Sequence, residues 1–319
     1  MKLSDYTILF AALLFAFLLP GFIGQAITSQ AASRQTEYSQ YLTNACLSAA
    51  AQSDLSDGLA FNSERERNSA VFNFFETLTL NFNAKNTTLE NSIPYYVPAV
   101  VLIDNDGFYI SYNEYDGEAY SPVTTSLFPF QEEYGDYIVR FFLNGNLDII
   151  DKSTGLTHHF SNCEEAYSIY PSLSFLESGE LAKQEQLHVA TQAVSEQAEY
   201  WINHHNTYNL MYKGAYTFTL PTITGEDWAN AIEGPGILAF LQGPKLSYGK
   251  GYVNVYAFAG SRIVKSSTYV LSGEYPDAYY HKQDCPYAPS SPKRIYHTME
   301  EAAASGAWPC QHCILKSQS

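Results

Sequence analysis

Hydrophobic and polar positions change rhythm several times along this chain, and each change marks an element. The first pattern is an uninterrupted apolar run. From Tyr6 to Ser33 there is no charged residue, and Ile8 to Leu19 (ILFAALLFAFLL) is apolar throughout. A bilayer-spanning helix needs roughly 20 apolar residues, which residues 6–27 just supply. A cleaved leader is the competing expectation: Pro20-Gly21 would end its apolar core, and Gly24-Gln-Ala26 or Ser29-Gln-Ala31 would be the small-residue cleavage site. Either reading puts the rest of the chain outside the cytoplasm. Lys2, before the run, weakly favours an inside N-terminus.

Helical spacing follows. Tyr38, Tyr41, Leu42, Ala45 and Ala49 recur on one face, which predicts a helix over 36–55, a stalk continuing outward from the anchor. A second helix is expected to open at Asn62-Ser63, with Glu64 and Glu66 in its first turn and an apolar stripe of Val71, Phe72, Phe75 and Leu78.

The period then shortens. Residues 96–104 (YVPAVVLID) read as a buried strand, Asn105-Asp106-Gly107 as a turn, and 108–112 as the returning strand. The same grammar recurs at 137–143, Asn144-Gly145-Asn146 and 147–150, so 96–175 predicts an antiparallel sheet. A long helix is expected over 176–206, with Leu187, Ala190, Val194, Ala198, Trp201 and Ile202 as its stripe. Strands are expected at 216–220, 237–242, 252–259 and 261–271, and a helical turn around Trp228. Thr298 with Glu301 forms a capping-box start for a small helix ending at Gly306.

The expected fold class is therefore α+β: an N-terminal membrane helix and stalk, an antiparallel-sheet extracytoplasmic domain with packing helices, and a small C-terminal Cys/His unit of zinc-knuckle type. The expected regions are 1–33 (anchor or signal peptide), 34–175 (stalk helices and first α+β region), 176–274 (second α+β region) and 275–319 (Cys/His unit).

Charge narrows the partners. Seventeen Lys and Arg against 33 Asp and Glu leave a formal charge of −16, which repels phosphate backbones, so no nucleic-acid partner is expected. The 26 Tyr on a lightly charged chain suit β-rich surfaces, where the ring packs and the hydroxyl stays wet.

Chemistry concentrates near the C-terminus. His281 and Cys285 are four residues apart, and Cys310 and Cys313 form a C-x2-C. Such paired spacings suit a closed tetrahedral zinc site. The alternatives are a disulfide, either Cys310–Cys313 or Cys285 with one of them, and unfilled thiols. His312 and His297 are nearby substitutes. Cys46 and Cys163 form a possible disulfide tying the stalk to the sheet, or two buried thiols. His158-His159, His188, His204-His205 and the Asp104/Asp106 turn read better as solvated, helix-end and turn residues than as sites. No H-E-x-x-H, G-x-S-x-G, P-loop or Rossmann glycine motif occurs, so no catalytic residue is nominated.

Three resemblances add to this reading. Residues 279–313 (YYHKQDCPY…IYHTMEEAAASGAWPCQHC), about a tenth of the chain, resemble a small Cys/His module related to the Ada-type zinc-binding unit. That module is appended to some secreted thermonuclease-like and other bacterial surface proteins. The matching positions are Tyr280, His281, Cys285, Glu300, Glu301, Ala302, Gly306, Pro309, Cys310 and Cys313, with Ala288 where an aliphatic Leu is usual. The likeness implies an accessory fold that holds a metal, and it brings no nuclease motif with it. The anchor and Ala-rich helix of residues 1–82 are similar to TadE-type minor-pilin-like proteins. VVLIDNDGFYISY is similar to the central hairpin of PAS-like extracytoplasmic sensor domains. The leading expectation is a non-enzymatic, membrane-anchored assembly or scaffolding component of a bacterial surface or secretion system, with protein partners in the cell envelope. The alternatives are a ligand-binding sensor-type domain and, behind it, a secreted hydrolase or nuclease accessory.

Overall fold

The apolar run before Asp104 becomes the middle of a sheet that is covered on both faces. The structure is a computed structural model. It describes residues 29–51, 60–87, 90–115, 120–211, 217–218, 228, 231–243, 246–248, 251–253, 256–263, 269–273, 278–282, 285–289, 294–296, 302–303 and 305–315. The chain divides into two compact units, residues 1–263 and 264–319.

In the first unit, residues 29–50 are helical (α1) and Glu64–Asn81 form α2. The strands are β1 (Val100–Ile103), β2 (Gly107–Tyr115), β3 (Tyr120–Thr124), β4 (Phe128–Tyr134), β5 (Tyr137–Phe141), β6 (Leu147–Asp151) and β7 (Thr157–Phe160). Helices α3 (Cys163–Ile169) and α4 (Gly179–Met211) come next, then β8 (Gly236–Gln242), β9 (Leu246–Tyr248), β10 (Gly251–Val253) and β11 (Tyr256–Arg262). The main sheet has the order β11-β8-β1-β2-β4-β5-β6-β7, with β3 also on β2 and β9–β10 a separate pair. All these pairings are antiparallel. The sheet thus takes strands from both sides of residue 175.

Alternation along the central strands separates two cores. Val101 and Ile103 of β1, Phe108 and Ile110 of β2 and Leu238 and Phe240 of β8 pack with Val189, Ala190, Val194, Ala198 and Ile202 of α4. Val100, Leu102, Ile237, Ala239 and Leu241 point the other way, onto Leu42, Ala45, Cys46 and Ala49 of α1 and Val71, Phe74 and Leu78 of α2. A strand buried on both faces must be apolar at every position, which is why 100–103 shows no polar residue. The helix expected as a stalk is accordingly a packed layer of the domain: its Ala-rich stripe admits close approach, and Tyr38 lies against Gly243, where a Cβ would come within 2.1 Å of the ring.

Local chemistry sets the boundaries. Ser63 caps α2, accepting from Glu66 N–H while the Glu66 carboxylate accepts from Ser63 N–H, a reciprocal capping box. The α2 stripe differs from expectation, since Phe74 is fully buried while Phe72 is 66% exposed. The strand expected from Tyr96 starts only at Val100, because Glu90–Tyr96, with Pro94 inside it, forms a 3-10 helix. Between Ser111↔Thr124 and Phe108↔Phe128, residues 109–110 of β2 face 125–127, so the chain passing from β3 to β4 carries one extra residue. Gly107 makes the adjoining approach possible, as a Cβ there would meet Phe128 O at 2.3 Å.

The Asp-Asn-Asp-Gly turn has a structural role. Asp104, 1% exposed, accepts N–H bonds from Ala60 and Phe61 at 2.9 and 2.8 Å and from Asn105. Asn105 accepts from Leu143 and Asn144, docking the turn against the 144–146 turn.

The second unit is a small sheet of order β14-β12-β13-β15: β12 (Tyr269–Ser272), β13 (Tyr279–Lys282), β14 (Ile295–Tyr296) and β15 (Trp308–Pro309). The stretch 261–271, expected as one strand, supplies the end of β11 and most of β12, which lie in different sheets.

Among the described residues no helix is long and apolar enough to cross a membrane. The expected span 6–27 lies outside the described residues, as do the capping pair Thr298/Glu301 and His297.

Candidate metal centre

Backbone pairing in the second unit brings the two halves of the Cys/His pattern together. β13 pairs antiparallel with β12, setting His281 opposite Val270, and parallel with β15, setting Tyr280 opposite Pro309. The parallel pairing delivers Cys310 beside the end of β13, where its N–H donates to Tyr280 O at 3.0 Å. Beyond β13 the chain turns, and Cys285 N–H donates to Lys282 O. Residues 311–315 coil directly after Cys310, returning Cys313 to the same point.

One ligand atom from each of His281, Cys285, Cys310 and Cys313 lies within 4.8 Å of all the others. All four expected ligands are therefore brought together, in an arrangement compatible with a single bound metal ion. Cys285 Sγ is 3.6 Å from His281 Nδ1, so Nδ1 is the ring atom facing the thiols. His281, Cys285 and Cys310 are buried, and Cys313 forms the half-exposed side.

Burial and polar contacts together set the protonation of these groups. Burial holds the His281 imidazole below its ordinary pKa, which keeps a lone pair available. Burial works to raise the Cys310 thiol, but N–H groups of Cys313 and His312 and the sulfurs of Cys313 and Cys285 outweigh it, so the net shift is downward. Cys313 is pushed up to about 12 by burial, against the Lys282 N–H that donates to its sulfur at 3.4 Å and with the Cys285 and Cys310 thiols adding to the rise. The Cys310 thiol is thus the easier of the two to ionise, and Cys313 resists chiefly because it is buried, with the neighbouring sulfurs adding to that resistance. A divalent cation among them removes that penalty.

Contacts without a ligand signature in sequence complete the centre. Ser272 Oγ sits 2.6 Å from His281 Nε2. Tyr287 stacks on His312 at 4.5 Å between centroids, joining the turn after Cys285 to the C-x2-C loop. His312 is exposed and stands outside the ligand cluster. Tyr287 and His312 are each next to or near a cysteine in sequence, but nothing in the primary pattern pairs them. Ser272 is nine residues from His281, and only the β12–β13 register makes them neighbours.

The second cysteine pair is not brought together. Cys46 and Cys163 are both free thiols. Cys46 packs in the core of α1 and α2, its sulfur 3.7 Å from Ala259 O, and Cys163 in the core of α4, on the opposite face of the sheet. Burial pushes the Cys46 thiol far above its ordinary pKa. Three further histidines also find non-ligand roles. His159 Nδ1 lies 2.6 Å from Asp148 Oδ1, His158 pairs with the Tyr170 hydroxyl, and His205 Nε2–H donates to Tyr95 O.

No protein-family model, curated protein or solved structure matches this chain.

Proposed function

We propose that this protein is a non-enzymatic, membrane-anchored extracytoplasmic component of a bacterial surface or secretion assembly, braced at its C-terminal end by structural zinc. The observation that carries the reading is the closed ligand set. Three thiols and an imidazole each offer a ligand atom within 4.8 Å of the others, and a tetrahedral ion held by all four would have no open position for a substrate or an activated water. Tetrahedral zinc, with bonds of about 2.3 Å to sulfur and about 2.05 Å to nitrogen, needs an S···N edge of about 3.6 Å. The Cys285–His281 separation is 3.6 Å. His281, Cys285, Cys310 and Cys313 would hold the ion, which would supply cross-linking and charge neutralisation. The apolar stretch at residues 6–27 is the proposed anchor. Packing of α1 on the sheet supports a domain carried close to the membrane without a free stalk. The charge of −16 disfavours nucleic acid as a partner.

Two measurements test this. Purified full-length protein should carry one zinc, and chelation should abolish hydrogen-exchange protection in residues 264–319 while β1, β2 and β8 stay protected. Cross-linking in intact cells should trap a partner from the cell envelope. Absence of zinc, or a protein that cross-links to nothing in the envelope, would sink the corresponding half of the proposal.

A sensor-type reading has one observation of its own. A cavity of about 320 Å³, lined in part by Asn146, Cys163, Lys183 and Gln186, opens on the first unit. That volume lies within the range of small-molecule sites. A small metabolite that raises the melting temperature in the wild type and fails to do so in Lys183→Ala would favour it. A screen that moves nothing would remove it.

A further inference from the structure

His281 is a ligand with two nitrogens, and something must decide which of them faces the metal. The β12–β13 register places Ser272 across from Tyr279, beside the His281 ring. Ser272 Oγ is 2.6 Å from Nε2, while Nδ1 faces Cys285 at 3.6 Å. The hydroxyl has a single proton, and the carbonyl of Tyr279, 3.4 Å away, is an acceptor for it. Oγ then offers a lone pair to His281, so Nε2 carries the hydrogen and Nδ1 is the bare nitrogen. This is the arrangement that lets Nδ1 bind a cation without first shedding a proton.

We infer that Ser272 is the positioning residue of the metal centre, selecting the Nε2–H tautomer of His281 and holding the ring so that Nδ1 completes the ligand set. The inference rests on the zinc reading above. Ser272 does not touch the ion. It acts through His281, as outer partners of ligating histidines do, and its loss should weaken zinc binding by about 10- to 100-fold.

The test uses the full-length protein as wild type, Ser272→Ala and Ser272→Thr. Zinc affinity is read by competition with a chromophoric chelator. Nitrogen chemical shifts of ¹⁵N-histidine-labelled protein report which His281 nitrogen is protonated and which is metallated. The expected result is Nδ1 metallated and Nε2 protonated in the wild type, the stated loss in Ser272→Ala, and affinity restored to within about threefold by Ser272→Thr, which keeps the hydroxyl. In zinc-saturated Ser272→Ala the His281 Nε2 nitrogen shift should move, a change that a merely structural role would not produce. Metallation through Nε2, or a Ser272→Ala protein that binds as tightly as wild type, overturns the inference while leaving the zinc site standing. A wild type that takes up no zinc overturns the zinc reading itself. Should Ser272→Ala not fold, the wild-type tautomer and Ser272→Thr still decide.

Discussion

Val100 and Val101 are bonded neighbours that belong to different cores. Val100 packs with α1 and α2, and Val101 packs with α4. The pleat sends successive side chains to opposite faces, and this sheet is covered on both. The domain is therefore three layers deep, with α1 and α2 on one side of β8-β1-β2 and α4 on the other.

The α2 stripe tests that arrangement. Phe74→Ala should cost about 3–5 kcal/mol, because a fully buried ring leaves a cavity. Phe72→Ala, two residues away and 66% exposed, should change stability by less than about 0.5 kcal/mol. Urea unfolding of the two variants decides it, and equal losses would contradict the assigned face.

Asp104 holds the loop before α2. Its carboxylate accepts from Ala60 and Phe61 within the protein, so Asp104→Ala would strand both donors away from water. A loss of about 2–4 kcal/mol is expected. Asp104→Asn keeps only one acceptor oxygen and should fall between the two. Amide exchange at Ala60 and Phe61 should accelerate in step with the lost stability. Unchanged exchange at those two amides would refute the role.

His205 makes stability depend on pH. Burial, its largest influence, lowers the pKa to about 4 despite the bond to Tyr95 O, with neighbouring His204 lowering it further. The unfolded chain takes up a proton near pH 6.5, and the folded one only near pH 4. The contribution is therefore intact above pH 6.5 and is lost progressively as pH falls toward 4, by about 3 kcal/mol in all. The helix runs on to Met211, so His205 lies within it and not at its expected end, and burial sets its state. In His205→Phe the slope of stability against pH between 6.5 and 4 should flatten, and an unchanged slope in equilibrium unfolding would rule His205 out.

Cys46 and Cys163 should both be alkylated in denaturant without prior reduction, and peptide mapping should find no 46–163 bridge. In the native state Cys46 should resist modification, since a fully buried thiol is protonated and unreachable. A recovered 46–163 disulfide peptide would refute the separation of the two thiols across the sheet.

What the sequence determined by itself was local. Asn62-Ser63 with Glu64 and Glu66 in the next turn announced the start of α2, the Asn-Asp-Gly and Asn-Gly-Asn turns announced two hairpins, and paired Cys/His spacings announced four ligands. These signals act within a few residues, where backbone and side chain speak directly to each other. Tertiary structure alone decided that β8 and β11 join the same sheet beside β1, that the Ala-rich helix is a layer instead of a stalk, that Cys46 and Cys163 face opposite ways, and that Ser272 stands over His281. Each of those facts depends on which strands pair and in what register. An apolar residue such as Val100 carries no mark of the partner it will meet, and a serine carries no mark of the histidine it will orient.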